Sequence, residues 1–191
     1  MFLFFHKGEK MKIGVVSDTH GSFKRWEMVW EILKDSDIII HCGDLFNHGP
    51  GNPTPDGYNP KKLLETFNSI EKPFLIVKGN CDSEVDQMFL NIPVSHPYLF
   101  TLIENYKFLV SHGHLFKDNF LQMGKKWKVN FLISGHTHFW KLAKTENIVI
   151  LNPGSPSLPK NNSSCALINI CEKKVKVFDI EKNSVLKKES F

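Results

Sequence analysis

KIGVVSDTHG, residues 12–21, decides how this chain is to be read. Its first half is a short run rich in β-branched apolar residues, and the run gives way without a spacer to Ser17, Asp18, Thr19, His20 and Gly21. The same arrangement recurs five times: Ile38 to Ile40 before HCGD, Phe74 to Val77 before KGNCD, Phe108 to Val110 before SHGH, Phe131 to Ile133 before SGHTH, and Ile148 to Leu151 before NPGS. Each reads as a buried strand closed by a turn, so polar and potentially reactive side chains stand at every strand end.

Helical stretches separate several of these runs. Phe23, Trp26, Trp30 and Leu33 repeat every three or four residues and form one apolar stripe. A second stripe of Leu63, Leu64, Phe67 and Ile70 follows Asn59-Pro60, an N-cap with proline at the first helical position. Alternation of strand and helix implies an α/β fold. Cys165 to Ile170 and Val175 to Ile180, with Lys173-Lys174 between them, read as an antiparallel hairpin. The expected architecture is therefore a pair of mixed β-sheets with flanking helices. Trp26, Trp30, Phe89 and Trp127 are assigned to the core by their spacing and size, and Cys42 to a buried strand. NHGPGNPTPDGY, residues 47–58, is too rich in Gly and Pro for a strand or a helix interior and is expected to loop beside the site.

Composition sets the outer bounds. The 191 residues fit one domain, taken as residues 11–191. Hydrophobic residues at 41% and charged residues at 23% suffice for a core and show no bias toward disorder. A net charge of +4 without a concentrated basic stripe speaks against a dedicated nucleic-acid domain. Cys42, Cys81, Cys165 and Cys171 contain no C-x-x-C pair, so neither a zinc knuckle nor a disulfide framework is expected, and a reducing cytoplasm is the simplest setting. The apolar start Met1 to Phe5 is broken at once by His6, Lys7, Glu9 and Lys10, too soon for a signal segment or a membrane span. Residues 1–10 are read as an N-terminal extension ahead of an alternative start at Met11.

In open α/β sheets ligands bind beyond the carboxyl ends of the strands. The residues placed there include Asp18, His20, Asp44, Asn80, His112, His136 and His138. In Asp18-x-His20 and His136-x-His138 the members are two positions apart, which in an extended segment turns both to one side. Their donors are oxygen and imidazole nitrogen without thiolate, a set suited to catalytic Mn, Fe, Ni or Zn rather than to structural zinc. Seven are too many for one ion, whereas a carboxylate bridging two ions about 3.5 to 4 Å apart uses them all. Taken singly, SDTH is a common strand-to-turn sequence and GD, GN and NPGS are ordinary turns. Their order after successive strands is what carries the assignment.

D-x-H, GD, GN, GH and GHTH in that order resemble the calcineurin-like metallophosphoesterase superfamily over Met11 to Pro159. SDTHGS, GD-x-x-NHGP, DGY-x-P, GNCDSEVDQM, HGHLF and NPGS-x-S-x-PK bring the chain closer to the small bacterial YfcE phosphodiesterases. The resemblance implies a calcineurin-like sandwich of two mixed sheets with flanking helices. It also implies hydrolysis of small phosphate diesters at a dinuclear site, by a hydroxide shared between the metals. By the same resemblance, Asp18, His20 and His138 hold the first ion, Asp44 bridges, and Asn80, His112 and His136 hold the second. Manganese is the metal the family suggests, with Ni, Fe or Zn as other candidates. His112 takes the ligand position, leaving His114 for the surroundings or the substrate.

Many superfamily members carry histidine after the motif asparagine, where it protonates the leaving group; here that place belongs to Cys81. The catalytic candidates are thus Asp44, Asn80, Cys81 and His114, with Asp82 as a further acid or as the start of a helix and Cys81 alternatively inert packing. Asn47 and His48 are expected to approach the phosphate. Competing functions are a protein-binding scaffold of the same fold, as in a retromer subunit, and a phosphomonoesterase or nuclease. A homodimer or homotetramer is compatible with the sequence.

Overall fold

The computed structural model describes residues 4–5, 11–116 and 119–191. The expected extension over residues 1–10 lies outside the described residues apart from β1 (Phe4–Phe5), whose backbone pairs in parallel with Leu102 and Ile103.

All six apolar runs form strands. β2 (Lys12–Val16), β3 (Ile38–His41) and β4 (Phe74–Val77) lie side by side in parallel, and β5 (Val94–Ser95) adds to β4. On the other side of β2 run the antiparallel strands β11 (Ser164–Asn169), β12 (Lys174–Asp179) and β13 (Ser184–Ser190). The hairpin expected from Cys165 onward is therefore present, and the lysine-rich tail supplies one more strand. The second sheet comprises β6 (Leu99–Ile103), β7 (Tyr106–Val110), β8 (Phe131–Ile133), β9 (Lys141–Thr145) and β10 (Ile148–Asn152), ordered β1-β6-β7-β8-β10-β9.

Side-chain parity builds the layers. Successive strand residues face opposite sides, so Ile13, Val15, Ile38, Ile40, Phe108, Val110, Phe131 and Ile133 meet between the two sheets in one buried cluster. The rings of Phe108 and Phe131 stack there at 4.4 Å. The alternate residues Val16, Ile39, Phe74 and Ile76 pack beneath α1 (Phe23–Leu33) and α2 (Pro60–Asn68), burying Trp26, Val29, Leu63 and Phe67. On the far side, Leu109 and Leu132 pack against Phe120 of α4 (Asn119–Trp127). The result is a sandwich of two mixed sheets covered by helices, as the sequence predicts. Among the described residues no helix is long and apolar enough to cross a membrane.

The helix signals act at the expected places. Ser22 caps α1 by accepting from the Arg25 amide, and Asn59 caps α2 by accepting from Lys62, ahead of Pro60. α3 (Glu84–Phe89) begins with a capping box between Ser83 and Asp86. Here the sequence reading needs a correction: Phe89 is 62% exposed and α3 buries no residue. At six residues the helix is too short to turn an apolar face onto a sheet already covered by α1 and α2. Trp127 is half-buried against Tyr98 and Phe100.

Phe67 meets Trp26 edge-on at 4.8 Å and Phe74 at 5.1 Å. Truncating it opens a cavity that this rigid aromatic group cannot refill. We expect Phe67→Ala to cost about 3–5 kcal/mol in urea unfolding. Met88→Ser on the exposed face of α3 should stay within about 0.5 kcal/mol.

Candidate metal centre

The loops after β2, β3, β4, β7, β8 and β10 meet at one end of the sandwich and are sewn together by backbone hydrogen bonds. Asp18 N donates to Gly43 O, His20 N to Asp44 O, and Gly135 N to His112 O, at 2.9, 3.0 and 2.9 Å. The segment holding Asp18 and His20 is not extended, as strand spacing had suggested. Asp18, His20, Asp44, His136 and His138 all have positive φ, between 44° and 69°. L-residues other than Gly rarely adopt this conformation, although Asp and His tolerate it better than most, and it persists only where surrounding contacts impose it.

Those contacts come from the sixth loop. Ser155 Oγ donates to Asp18 O and Ser157 Oγ to Thr19 O, both at 2.7 Å, while Asn152 Nδ2 donates to Gly135 O at 2.8 Å. Two glycines admit the close approach. A Cβ on Gly79 would lie 2.1 Å from Asp44 Oδ1, and one on Gly135 would lie 1.9 Å from Ser17 Oγ.

Both aspartates are buried, and each has one oxygen fixed by a backbone amide and the other turned into the crevice. Asp18 Oδ2 accepts from His136 N at 3.0 Å. Its Oδ1 has no hydrogen-bond partner and faces the Nε2 atoms of His138, His20 and His112 at 3.3, 3.8 and 4.0 Å. Asp44 Oδ1 accepts from Cys81 N at 2.8 Å, and Oδ2 faces His112 at 3.3 Å and His20 at 3.8 Å.

The histidines are held in the same way. Nδ1 of His20, His112 and His138 lies 2.7–2.8 Å from the carbonyls of Asn47, Cys42 and Leu158. A carbonyl only accepts, so Nδ1 carries a proton and Nε2 is the nitrogen turned into the crevice, where it can ligate in the neutral ring. His20 Nε2 and His138 Nε2 then stand 3.1 Å apart, and His112 Nε2 stands 3.0 Å from Asn80 Oδ1 and 3.3 Å from Asp44 Oδ2. Converging imidazole nitrogens around a buried, unpartnered carboxylate oxygen fit divalent cations. Asp18, His20 and His138 form one group of such donors, and Asp18, Asp44 and His112 another.

His136 and His138 have different ring neighbours. His138 joins His20, whereas the exposed His136 ring lies beside His112 at 5.1 Å and His114 at 6.0 Å. His114 is half-buried, with Nδ1 unpartnered. Asn47 uses its side chain within its own loop, accepting from Gly49 N, and its carbonyl to orient His20. His48 packs edge-on against Tyr58 at 5.2 Å.

The electrostatics follow the geometry. Burial opposes charge on Asp18 and Asp44, but the neighbouring histidines outweigh it and hold both carboxyls below their usual range. Burial likewise opposes charge on His112, yet the hydrogen bond it donates to the Asp44 carboxylate and the charge of Asp18 push it up to about 9 in the metal-free protein. The Cys81 thiol is pushed up to about 12 by burial and by Asp44. Such a thiol is a poor proton donor.

Sequence reasoning missed much of the support. Asp82 neither starts α3 nor faces the crevice; its carboxylate accepts from the amides of Gly79, Asp44 and Leu45 at 2.7–2.8 Å and so ties the two loops together. Burial pushes its pKa up to about 6 despite those bonds. Ser155 and Ser157 were visible only as part of a turn-forming string, and the carbonyls that orient the histidines leave no mark on residue type.

Residues 11–173 match the model of the calcineurin-like phosphoesterase superfamily domain. The chain is 38% identical to the phosphodiesterase YfcE of Escherichia coli over 156 residues, covering 80% of this chain and 83% of that protein. It is 33% identical to a probable metallophosphoesterase of Methanocaldococcus jannaschii over 165 residues, covering 82% and 74%. The solved structure of the Escherichia coli YfcE phosphoesterase superposes with a TM-score of 0.83 at 33% identity, covering 94% of this chain and 99% of that one.

Asp82→Ala would leave three buried amides without an acceptor, at about 1–3 kcal/mol each. We expect a loss of at least about 3 kcal/mol in the unfolding free energy of the chelator-treated protein, with Asp82→Asn in between. A loss below about 1 kcal/mol would show that the amides find other acceptors.

Proposed function

The chain belongs to the calcineurin-like phosphoesterase superfamily, and from that premise we propose that it is a metal-dependent phosphodiesterase for small phosphate diesters. In this reading Asp18, His20 and His138 hold one divalent ion, Asn80, His112 and His136 a second, and Asp44 is shared. The observation that carries it is the convergence of the Nε2 atoms of His20, His112 and His138 on two buried carboxylates, with each Nδ1 committed to a backbone carbonyl. Bound divalent ions supply Lewis acidity toward the phosphoryl oxygens and bring water to its nucleophilic form. Manganese is the preferred ion, and the donor set also accepts Ni, Fe or Zn.

The protein's own residues position and desolvate. Amides of Cys81 and His136 hold the carboxylates in place, and three carbonyls fix the imidazole tautomers, so the donors need no reorganisation. One comparison favours a diester: the YfcE relative is named a phosphodiesterase.

Proton donation to the leaving group is weak. Cys81 holds its proton to about 12. His114, at the edge, is lowered by burial and by the neighbouring His112 and His136, so it is protonated only in more acid solution. A good leaving group is thus favoured. Asn47 and His48 shape the approach, and His48→Ala should lower turnover of the diester.

Chelator-stripped protein should be inactive, and Mn2+ should restore cleavage of bis(p-nitrophenyl) phosphate well above that of the monoester and of a dialkyl diester. Absence of metal-restored cleavage of every ester would overturn the reading. Because His112 sits at about 9 without metal, binding at neutral pH must expel its proton. Mn2+ affinity should therefore rise with pH and level off near 9, checked by calorimetry in buffers of different ionisation heat.

A further inference from the structure

A fourth buried histidine is held in the opposite sense to the three that face the crevice. His41 ends β3, is fully buried, and packs its ring against Phe67 at 5.8 Å and Phe74 at 6.4 Å. Its Nε2 lies 2.9 Å from Thr19 Oγ1, and its Nδ1 accepts from Gly43 N at 3.2 Å. The protons can be counted. An amide N–H only donates, so Nδ1 is the unprotonated nitrogen. Thr19 Oγ1 spends its single proton on Leu45 O at 2.9 Å, so it can only accept from His41, and Nε2 carries the proton. The ring is neutral and both nitrogens are used.

The geometry points to His41 as a positioning residue that bolts the Asp18–His20 turn to the Gly43–Asp44 turn through Thr19 and the Gly43 amide. The three strained residues Asp18, His20 and Asp44 lie within two residues of the groups it holds. Backbone strain of this kind relaxes unless several contacts over-determine it. Thr19 is bound from two sides, its carbonyl by Ser157 Oγ and its hydroxyl by His41 and Leu45 O. Aromatic walls on the other side prevent the ring from swinging away, and no ligand role is open to it. The ring adds a side-chain link to the direct backbone bonds from Asp18 N to Gly43 O and from His20 N to Asp44 O.

The consequence for metal affinity rests on the function proposed above; the tautomer and the turn geometry do not. The test therefore has two arms. In metal-free protein, long-range 1H–15N correlation should give His41 the signature of the neutral Nε2–H tautomer. The opposite tautomer or an imidazolium signature would overturn the assignment.

In calorimetry with Mn2+ alone, His41→Phe should bind about 10–100-fold more weakly than the parent, with displaced amide resonances at Asp18 to His20 and Gly43 to Leu45. His41→Gln, whose amide keeps one donor and one acceptor, should recover most of that loss, which a purely space-filling role would not explain. Unchanged Mn2+ affinity in a folded His41→Phe protein would overturn the proposal. If that variant fails to fold, Thr19→Val removes the same bond at constant size, and full Mn2+ affinity there would overturn it equally. A parent protein that binds no Mn2+ would instead count against the metal reading, and the amide and tautomer signals would still decide the role of His41.

Discussion

Two carboxylates, Asp18 and Asp44, are buried together at the junction of two sheets, and most of the surrounding structure exists to make that tolerable. A buried charge without partners is costly, and two like charges are worse. Each carboxylate answers with one oxygen on a backbone amide and the other toward imidazoles. The histidines in turn need fixed tautomers, which backbone carbonyls provide. The outer constraints follow in order: left-handed turns at five donor positions, glycines where a Cβ would collide, and serines and Asp82 holding the turns closed.

The same constraint explains the division of labour among polar residues that look alike. His20, His112 and His138 send Nε2 into the crevice, whereas His41 turns its protonated Nε2 toward Thr19, because one set meets carbonyls and the other meets an amide and a committed hydroxyl. Asp18 and Asp44 face the crevice, while Asp82, with three amides on its carboxylate, has no oxygen left to offer it. Residue type alone does not separate these roles. The partner of the second nitrogen or oxygen does.

Much of the fold was legible because apolar runs and caps are local signals. All six strands, the stripes of α1 and α2 and the Asn59-Pro60 cap lie where the sequence places them. The failures were non-local. Phe89 looks like a core residue, yet its short helix has no free sheet beneath it. Asp18-x-His20 looks like strand alternation, but the side chains converge through left-handed turns that only the contacts of other loops enforce. His136 and His138, two positions apart and both at positive φ, take different ring neighbours, His112 and His20.

By itself the sequence determined the strand-and-turn order, the pair of mixed sheets and the set of oxygen and nitrogen donors at the strand ends. These follow from hydrophobic period, turn chemistry and residue type, which are properties of a few neighbouring residues. Only the tertiary structure decided which nitrogen of each histidine faces the crevice, which aspartates serve the site and which one braces it, and that His41 belongs to the frame. Those choices depend largely on hydrogen bonds between residues far apart in the chain, 22 positions for His41 to Thr19 and 138 for Ser157 to Thr19. No local pattern encodes a partner that distant, because the partner is set by how the two sheets pack.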